Sequence, residues 1–206
     1  MLIRSLAFAA VLVSFIEPLF AQQPAFDDAR LAKIPERMEQ FVKDGQISGA
    51  VTLVATKDRV VHLAAVGKAD LATSRSMEPD AIFRVASMTK PITSTALMML
   101  IEQGKLAVDD PVAKHIPAFA GQKLKDGTVA RPVTIRDIVT HTAGLAYDTT
   151  QPGDGPYTRL RVSGGLDQPG LSMEENLARI TAAGLMFQPG AKWLYSVAID
   201  VLGAAM

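Results

Sequence analysis

No cysteine occurs in the 206-residue chain. A disulfide scaffold, thiolate metal sites and a cysteine nucleophile are thereby excluded. Histidine is nearly as scarce. His62, His115 and His141 are scattered along the sequence, which argues against an imidazole-built metal centre. Neither sign of charge is in excess: 21 Lys and Arg balance 21 Asp and Glu. No basic block supplies the clustered cations that phosphate neutralisation needs, so nucleic acid is not an expected partner. Past the N-terminus no apolar run reaches the ~20 residues that a membrane-spanning helix requires. Repeats and low-complexity tracts are absent as well. What remains is a chain with 49% apolar and 20% charged residues, long enough to bury a sizeable core and too apolar to stay disordered.

The first residues read as an address. Met1-Leu2-Ile3-Arg4 carries an early positive charge, residues 5–16 are almost wholly apolar, and Pro18 breaks any helix. Leu19-Phe20-Ala21 before Gln22-Gln23 favours cleavage after Ala21. Residues 1–21 are therefore expected to be a secretory signal peptide, with the mature protein periplasmic or secreted.

Along the mature chain, Leu31, Ile34, Met38, Phe41 and Val42 fall at helical spacing and predict a helix over 27–43, with Pro35 bending its start. Residues 49–56 and 59–66 read as a hairpin of two strands around Lys57-Asp58. A polar connection over 69–79 and an extended apolar stretch over 81–85 follow. A long helix is expected from Ser87 to Gln103, with Pro91 in its first turn and Gly104 as its stop. Residues 105–120 read as a loop. Thr134 with Asp137 is a weak variant of a capping box opening a short helix over 134–140, and Ser172-Met173-Glu174-Glu175 is a full one. Between them, residues 147–170 read as a long Gly- and Pro-containing loop. A last helix is expected to begin near Ser196.

Ser87-Met88-Thr89-Lys90 places a hydroxyl and an amine one turn apart on one helix face. A serine hydroxyl becomes a useful nucleophile only when a neighbour takes its proton, and a lysine can serve once burial or charge tunes it. Alone, Ser-x-x-Lys has little specificity, and a capping serine followed by a solvated lysine is the plainer explanation. Its surroundings are more specific. The run from Phe83 to Ser94 resembles the nucleophile region of the class C β-lactamase superfamily, and more closely its esterase branch, the family VIII carboxylesterases. The similarity continues through Glu102-Gln103-Gly104-Lys105-Leu106 and Asp109-Asp110-Pro111-Val112. It returns in Thr134-Ile135-Arg136-Asp137-Ile138-Val139-Thr140-His141-Thr142-Ala143-Gly144-Leu145, then in Gln188-Pro189-Gly190 and Trp193-Leu194-Tyr195-Ser196, followed by Asp200-Val201-Leu202-Gly203.

The resemblance implies an α/β (α+β) fold of the β-lactamase/transpeptidase type. Residues 22–85 would give a helix and hairpin of the sandwich domain, and 86–206 an all-helical domain, beside an incomplete antiparallel sheet. It also implies acyl transfer, with Ser87 as nucleophile, Lys90 as its activating partner and Tyr195, at the family's Tyr-x-Asn position, as base or proton relay. Val197 stands where β-lactamases carry that Asn, which favours an esterase. Tyr147 is the rival tyrosine, recommended by residue type alone. In the family the block around His141 is structural, so His141 is not expected to act as base. His62 is expected on a strand and His115 on the surface. No Gly-x-Ser-x-Gly elbow is present.

The family's third motif, Lys-Thr-Gly or His/Trp-x-Gly, is not found after Tyr195. Lys43-Asp44-Gly45 and Lys125-Asp126-Gly127 precede it and read as turns. The expectation is therefore an N-terminal half with little or no turnover. It would lack one oxyanion donor, while the Ser87 backbone N–H supplies the other. The implied substrate is a small ester or lactam. No metal or organic cofactor is implied, and the oligomeric state is unreadable. A β-lactamase, a D-Ala-D-Ala carboxypeptidase and a non-catalytic penicillin-binding module stand as alternatives.

Overall fold

A computed structural model describes residues 26–151 and 153–206. The expected signal peptide lies outside the described residues. The chain divides into two compact units between Phe83 and Arg84.

In the first unit, the expected N-terminal helix is two: α1 (Asp28–Leu31) and α2 (Lys33–Lys43). Pro35 has no N–H to offer the carbonyl of Leu31 four residues back, and the break falls at Ala32 between them. The apolar stripe holds, since Leu31, Ile34, Met38, Phe41 and Val42 are all partly buried while most of their neighbours are exposed. Helix α2 packs on strands β1 (Gly49–Ala55) and β2 (Val60–Asp70), which pair antiparallel with Gly49 opposite Gly67 and Leu53 opposite Leu63. That glycine pair is required locally. A Cβ on Gly49 would come within 2.6 Å of the Lys68 carbonyl oxygen, and Gly67 sits at φ +76°. Thr52 and His62 meet across the sheet at 2.8 Å. The connection over 69–79 contains a strand that the sequence does not announce. Arg75–Ser76 (β3) pairs with the end of β2, through backbone bonds that a polar dipeptide makes as readily as an apolar one. Residues 81–85 are not a strand, and Ile82 is fully exposed.

The second unit carries the larger core. The long helix expected from Ser87 opens instead as a 3-10 turn over Ala86–Met88 and continues as α3 (Thr89–Glu102). Pro91 cannot donate to the carbonyl of Ser87, which suits a tighter first turn. Leu97 is completely buried, with Leu100 and Ile101 packed beside it. The region 105–120 holds two further 3-10 turns, Val112–Lys114 and Pro117–Phe119. Helix α4 (Ile135–Val139) follows. The region 147–170 contains a 3-10 turn, Asp148–Thr150, and α5 (Pro156–Arg159). Helices α6 (Met173–Ala183) and α7 (Ala198–Ala205) complete the unit, with α7 packed on α3 and α4. His115 is more enclosed than a surface residue, its Nε2 3.5 Å from Asp110. Among the described residues no helix is long and apolar enough to cross a membrane.

The two capping sequences exchange ranks. The Thr134 hydroxyl accepts from the Asp137 N–H, and the Asp137 carboxylate accepts from the Thr134 N–H at 2.9 Å, so the weaker-looking pair forms the complete box. At α6 only half a box is present. The Ser172 hydroxyl accepts from the Glu175 N–H at 3.1 Å, but the Glu175 carboxylate accepts instead from Arg179, one turn further on, at 2.6 Å.

Asp137 does more than cap. Its two carboxylate oxygens each accept from the Arg131 guanidinium at 2.8 Å, and the Thr134 hydroxyl donates to it as well. Burial works against the charge, but Arg131 and Thr134 outweigh it and hold the carboxyl below its ordinary value. Replacing Asp137 with Ala is expected to cost about 2 kcal/mol in a denaturant titration. That is less than a fully buried pair would lose, because the Arg131 side chain is 45% exposed. Since the folded-state pKa is depressed, this stabilisation is present above the ordinary value of 3.8 and is lost as the pH falls through the lower folded value. The stability gap between wild type and Asp137→Ala should therefore close in acid.

Candidate active site

Ser87 is the middle residue of the 3-10 turn that feeds α3. The residue before it, Ala86, is held at φ +44°, a backbone region that a non-glycine residue rarely adopts. This bend sets the exposed Ser87 side chain at the mouth of a cleft of about 870 Å3. The cleft is also lined by Lys90, Tyr147, Tyr195, Ile199 and Asp200, all from the second unit. A second, open cleft of about 610 Å3 over Lys123, Arg159 and Ala183 contains none of the sequence-predicted site residues.

Lys90 is the hub. Its Nζ donates to the Ser87 Oγ at 3.3 Å and to the Tyr147 hydroxyl at 3.0 Å. It also lies 4.9 Å from the centre of the Tyr195 ring and 5.7 Å from that of Tyr147. The structure thus brings Ser87, Lys90 and Tyr195 together and adds Tyr147, which the sequence recommended only by type. The Lys90–Tyr147 bond spans 57 residues of chain, so no local spacing could have announced it.

The titration behaviour of these groups is set by their company. Burial pushes the Lys90 ammonium toward neutrality, but hydrogen bonding to Tyr147 and Tyr195 prevails and its pKa is raised. For Tyr195, burial opposes ionisation, while the Ser87 hydroxyl and the Lys90 ammonium together bring its pKa below the ordinary phenol value. Tyr147 goes the other way. Burial dominates the contribution of Lys90 and raises it. Of the two phenols beside Lys90, Tyr195 is therefore the one poised to lose a proton.

The segments carrying both tyrosines are tied to the block around His141. The N–H of Met186 donates to the Gly144 carbonyl at 2.7 Å, that of Gly190 to Thr142 at 2.8 Å, and that of Leu194 to His141 at 2.9 Å. Gly144 is at φ +84°, and a Cβ there would run into the Phe187 carbonyl. The His141 ring packs 4.8 Å from that of Tyr195, and its Nδ1 lies 3.5 Å from the Ser196 hydroxyl. Burial first, and the Lys90 charge second, lower its pKa and leave it neutral. Among the described residues no hydrogen bond joins His141 to Ser87. Nor does any group of His, Asp and Glu there form a metal cage. Val197 is completely buried and sends no polar group into the cleft.

If the Lys90 charge is what lowers Tyr195, then Lys90→Met should raise the Tyr195 midpoint in a phenolate absorbance titration, with Tyr195→Phe subtracted to isolate it. In the wild type the three tyrosines should ionise in the order Tyr195, Tyr147, Tyr157, because burial carries the enclosed Tyr157 furthest upward.

Known proteins resemble this chain in sequence and fold. The chain is 39% identical over 183 residues to Esterase EstB of Burkholderia gladioli, covering 88% of this chain and 46% of that protein. It is 28% identical over 205 residues to the D-alanyl-D-alanine-carboxypeptidase/endopeptidase AmpH of Escherichia coli strain K12, covering 98% of this chain and 50% of that one. Among solved structures it superimposes on EstCE1, a hydrolase with promiscuous acyltransferase activity. The TM-score is 0.79 at 41% identity, over 86% of this chain and 46% of that one. The chain thus spans about half the length of the relatives it matches. A family model described as Beta-lactamase matches residues 34–206, a stretch that holds the whole cleft around Ser87 and Lys90. By that match and by its fold, the chain belongs to the β-lactamase family.

Proposed function

We propose that this chain carries the nucleophile half of an exported serine hydrolase that works through an acyl-enzyme, with small esters as its substrates. The observation that carries the reading is the contact of one ammonium, Lys90, with the Ser87 hydroxyl and the hydroxyl of Tyr147, beside a phenol whose pKa is lowered. Ser87 Oγ attacks the ester carbonyl carbon, and its proton passes to Tyr195 as phenolate. Lys90 remains an ammonium throughout and stabilises that phenolate. The carbonyl π electrons move onto oxygen, and the Ser87 backbone N–H, in the first turn where no intrahelical acceptor exists, is available to that oxyanion. Collapse of the intermediate expels the alkoxide, which takes the proton from Tyr195 and leaves an ester on Ser87. Water then repeats the sequence and releases the acid. Tyr147 fixes the Lys90 amine through its hydroxyl, at 3.0 Å.

Esters are favoured over lactams because Val197, two residues beyond Tyr195, is buried and apolar where a lactam-binding amide would stand. The esterase names borne by EstB and EstCE1 point the same way. AmpH keeps a carboxypeptidase reading open as the second choice. The apolar start of the sequence, with the small Ala21 before Gln22, supports export.

The test is release of p-nitrophenol from a short p-nitrophenyl ester, compared with opening of a chromogenic cephalosporin. A burst of p-nitrophenol, even one no larger than the protein concentration, is expected, absent in Ser87→Ala and slowed at least ~100-fold in Tyr195→Phe. Faster opening of the cephalosporin would favour a lactamase. Stable labelling by a fluorescent penicillin with no ester burst would favour a non-catalytic binding module.

A further inference from the structure

Asp200 stands in the first turn of α7 and lines the same cleft as Ser87, Lys90, Tyr147 and Tyr195. It is only partly exposed, yet among the described residues its carboxylate has no ion-pair partner and no hydrogen bond from another residue's side chain. Charged groups elsewhere in the unit are differently placed. Arg136 on α4 is bound to Asp109, and Asp137 on α4 to Arg131. On α3 the only other charged residue is Glu102, at the helix's far end. Asp148 accepts from the Thr149 N–H, and Asp167 from Ser163 and Gln168. Arg84 shares the cleft wall. His141, from the loop after α4, is neutral. The cation that acts on Asp200 across the cleft is the Lys90 ammonium.

We propose that Asp200 is a positioning residue of this site, a counter-charge to Lys90 that makes Tyr195 hold its proton more tightly. The proposal rests on the reading of Ser87, Lys90 and Tyr195 given above. A carboxylate without its own cation, set into the wall of a cleft that holds one ammonium beside two phenols, acts on all three groups at once. It strengthens the ammonium, and it makes each phenolate harder to form. The directions agree: Asp200 raises the pKa of both Tyr147 and Tyr195. Its own is raised by burial, with Lys90 partly offsetting that rise. By reciprocity Asp200 supports the charge on Lys90. The consequence is a compromise. Without Asp200, Ser87 and Lys90 would drop the Tyr195 phenol further, giving a more plentiful but weaker base. Asp200 holds it higher, giving a scarcer and stronger one.

Asp200→Asn removes the charge with little change of shape. Because burial disfavours the carboxylate, the neutral variant is expected to fold at least as well near neutral pH. The experiment is a phenolate absorbance titration of wild type, Asp200→Asn and Asp200→Glu, each paired with Tyr195→Phe to isolate Tyr195. Beside it runs the pH dependence of Ser87 phosphonylation by a fluorophosphonate. Asp200→Asn should lower the Tyr195 midpoint by about half a pH unit to one unit and shift the acid limb of phosphonylation down equally. Asp200→Glu should stay near wild type. An unmoved or raised midpoint in Asp200→Asn, or a Glu variant that behaves like Asn, overturns the proposal. So does a change confined to KM for cationic esters, which would make Asp200 a substrate contact. If circular dichroism shows Asp200→Asn unfolded, Asp200→Ser is read in the same way. Absence of phosphonylation at every pH would sink the nucleophile reading of Ser87, while the titration would still decide the role of Asp200.

Discussion

An ammonium enclosed among hydroxyls is stable only where those hydroxyls can face it, and the second unit of this chain is arranged around that condition at Lys90. The amine touches Ser87 in the 3-10 turn before its own helix and Tyr147 from a distant loop, and it lies against the ring of Tyr195. Its charge favours ionisation of both phenols, and burial and Ser87 decide between them. Tyr195, with Ser87 and Lys90 beside it, falls below the ordinary phenol value, while Tyr147, more deeply covered, rises above it. The proposed division of labour follows from this asymmetry. Lys90 serves as a fixed charge, Tyr195 as the group that moves a proton, and Tyr147 as a clamp.

Such an arrangement needs a rigid frame, because the contributing residues are far apart in sequence. The frame is mostly backbone. Helix α4 is closed by a reciprocal cap and anchored through Asp137 to Arg131. The residues that leave it, from His141 to Gly144, hold the strip from Met186 to Leu194 by three backbone hydrogen bonds. That strip ends at Tyr195, and the other end of the block leads to Tyr147. Helix α7 then packs its completely buried Val201 and Leu202 against α3 and α4. On the far side, the strained Ala86 and the tight turn through Ser87 aim the hydroxyl into the cleft.

Much of this is legible in the sequence, for identifiable reasons. Helical stripes such as Leu31 to Val42 are written in periodicity, and the Ser-x-x-Lys spacing guarantees a shared helix face. The family blocks carried Tyr195. Other features are not written locally. Strand β3 is two polar residues whose pairing depends on where β2 ends. Pro35 and Pro91 each have no N–H to give the carbonyl four residues back, and so turned one expected helix into two and the start of another into a 3-10 turn. The choice between the two capping sequences was made by competition. Arg179 drew Glu175 away from its cap, whereas Arg131 bound Asp137 without disturbing one. Tyr147 reaches the cleft through tertiary packing alone, and no spacing rule connects it with Ser87; Asp200 falls in the block that follows Tyr195, but only the cleft shows which charge it shares space with.

The central claim is that Lys90 and Tyr195 make Ser87 a nucleophile. Its most direct test is intact-mass analysis of the protein after exposure to a fluorophosphonate, with peptide mapping of any adduct. The account predicts a single adduct on Ser87 that disappears in Ser87→Ala and is strongly slowed in Lys90→Met and Tyr195→Phe. An adduct on another hydroxyl, or equal labelling of the folded protein with and without Lys90, would contradict it.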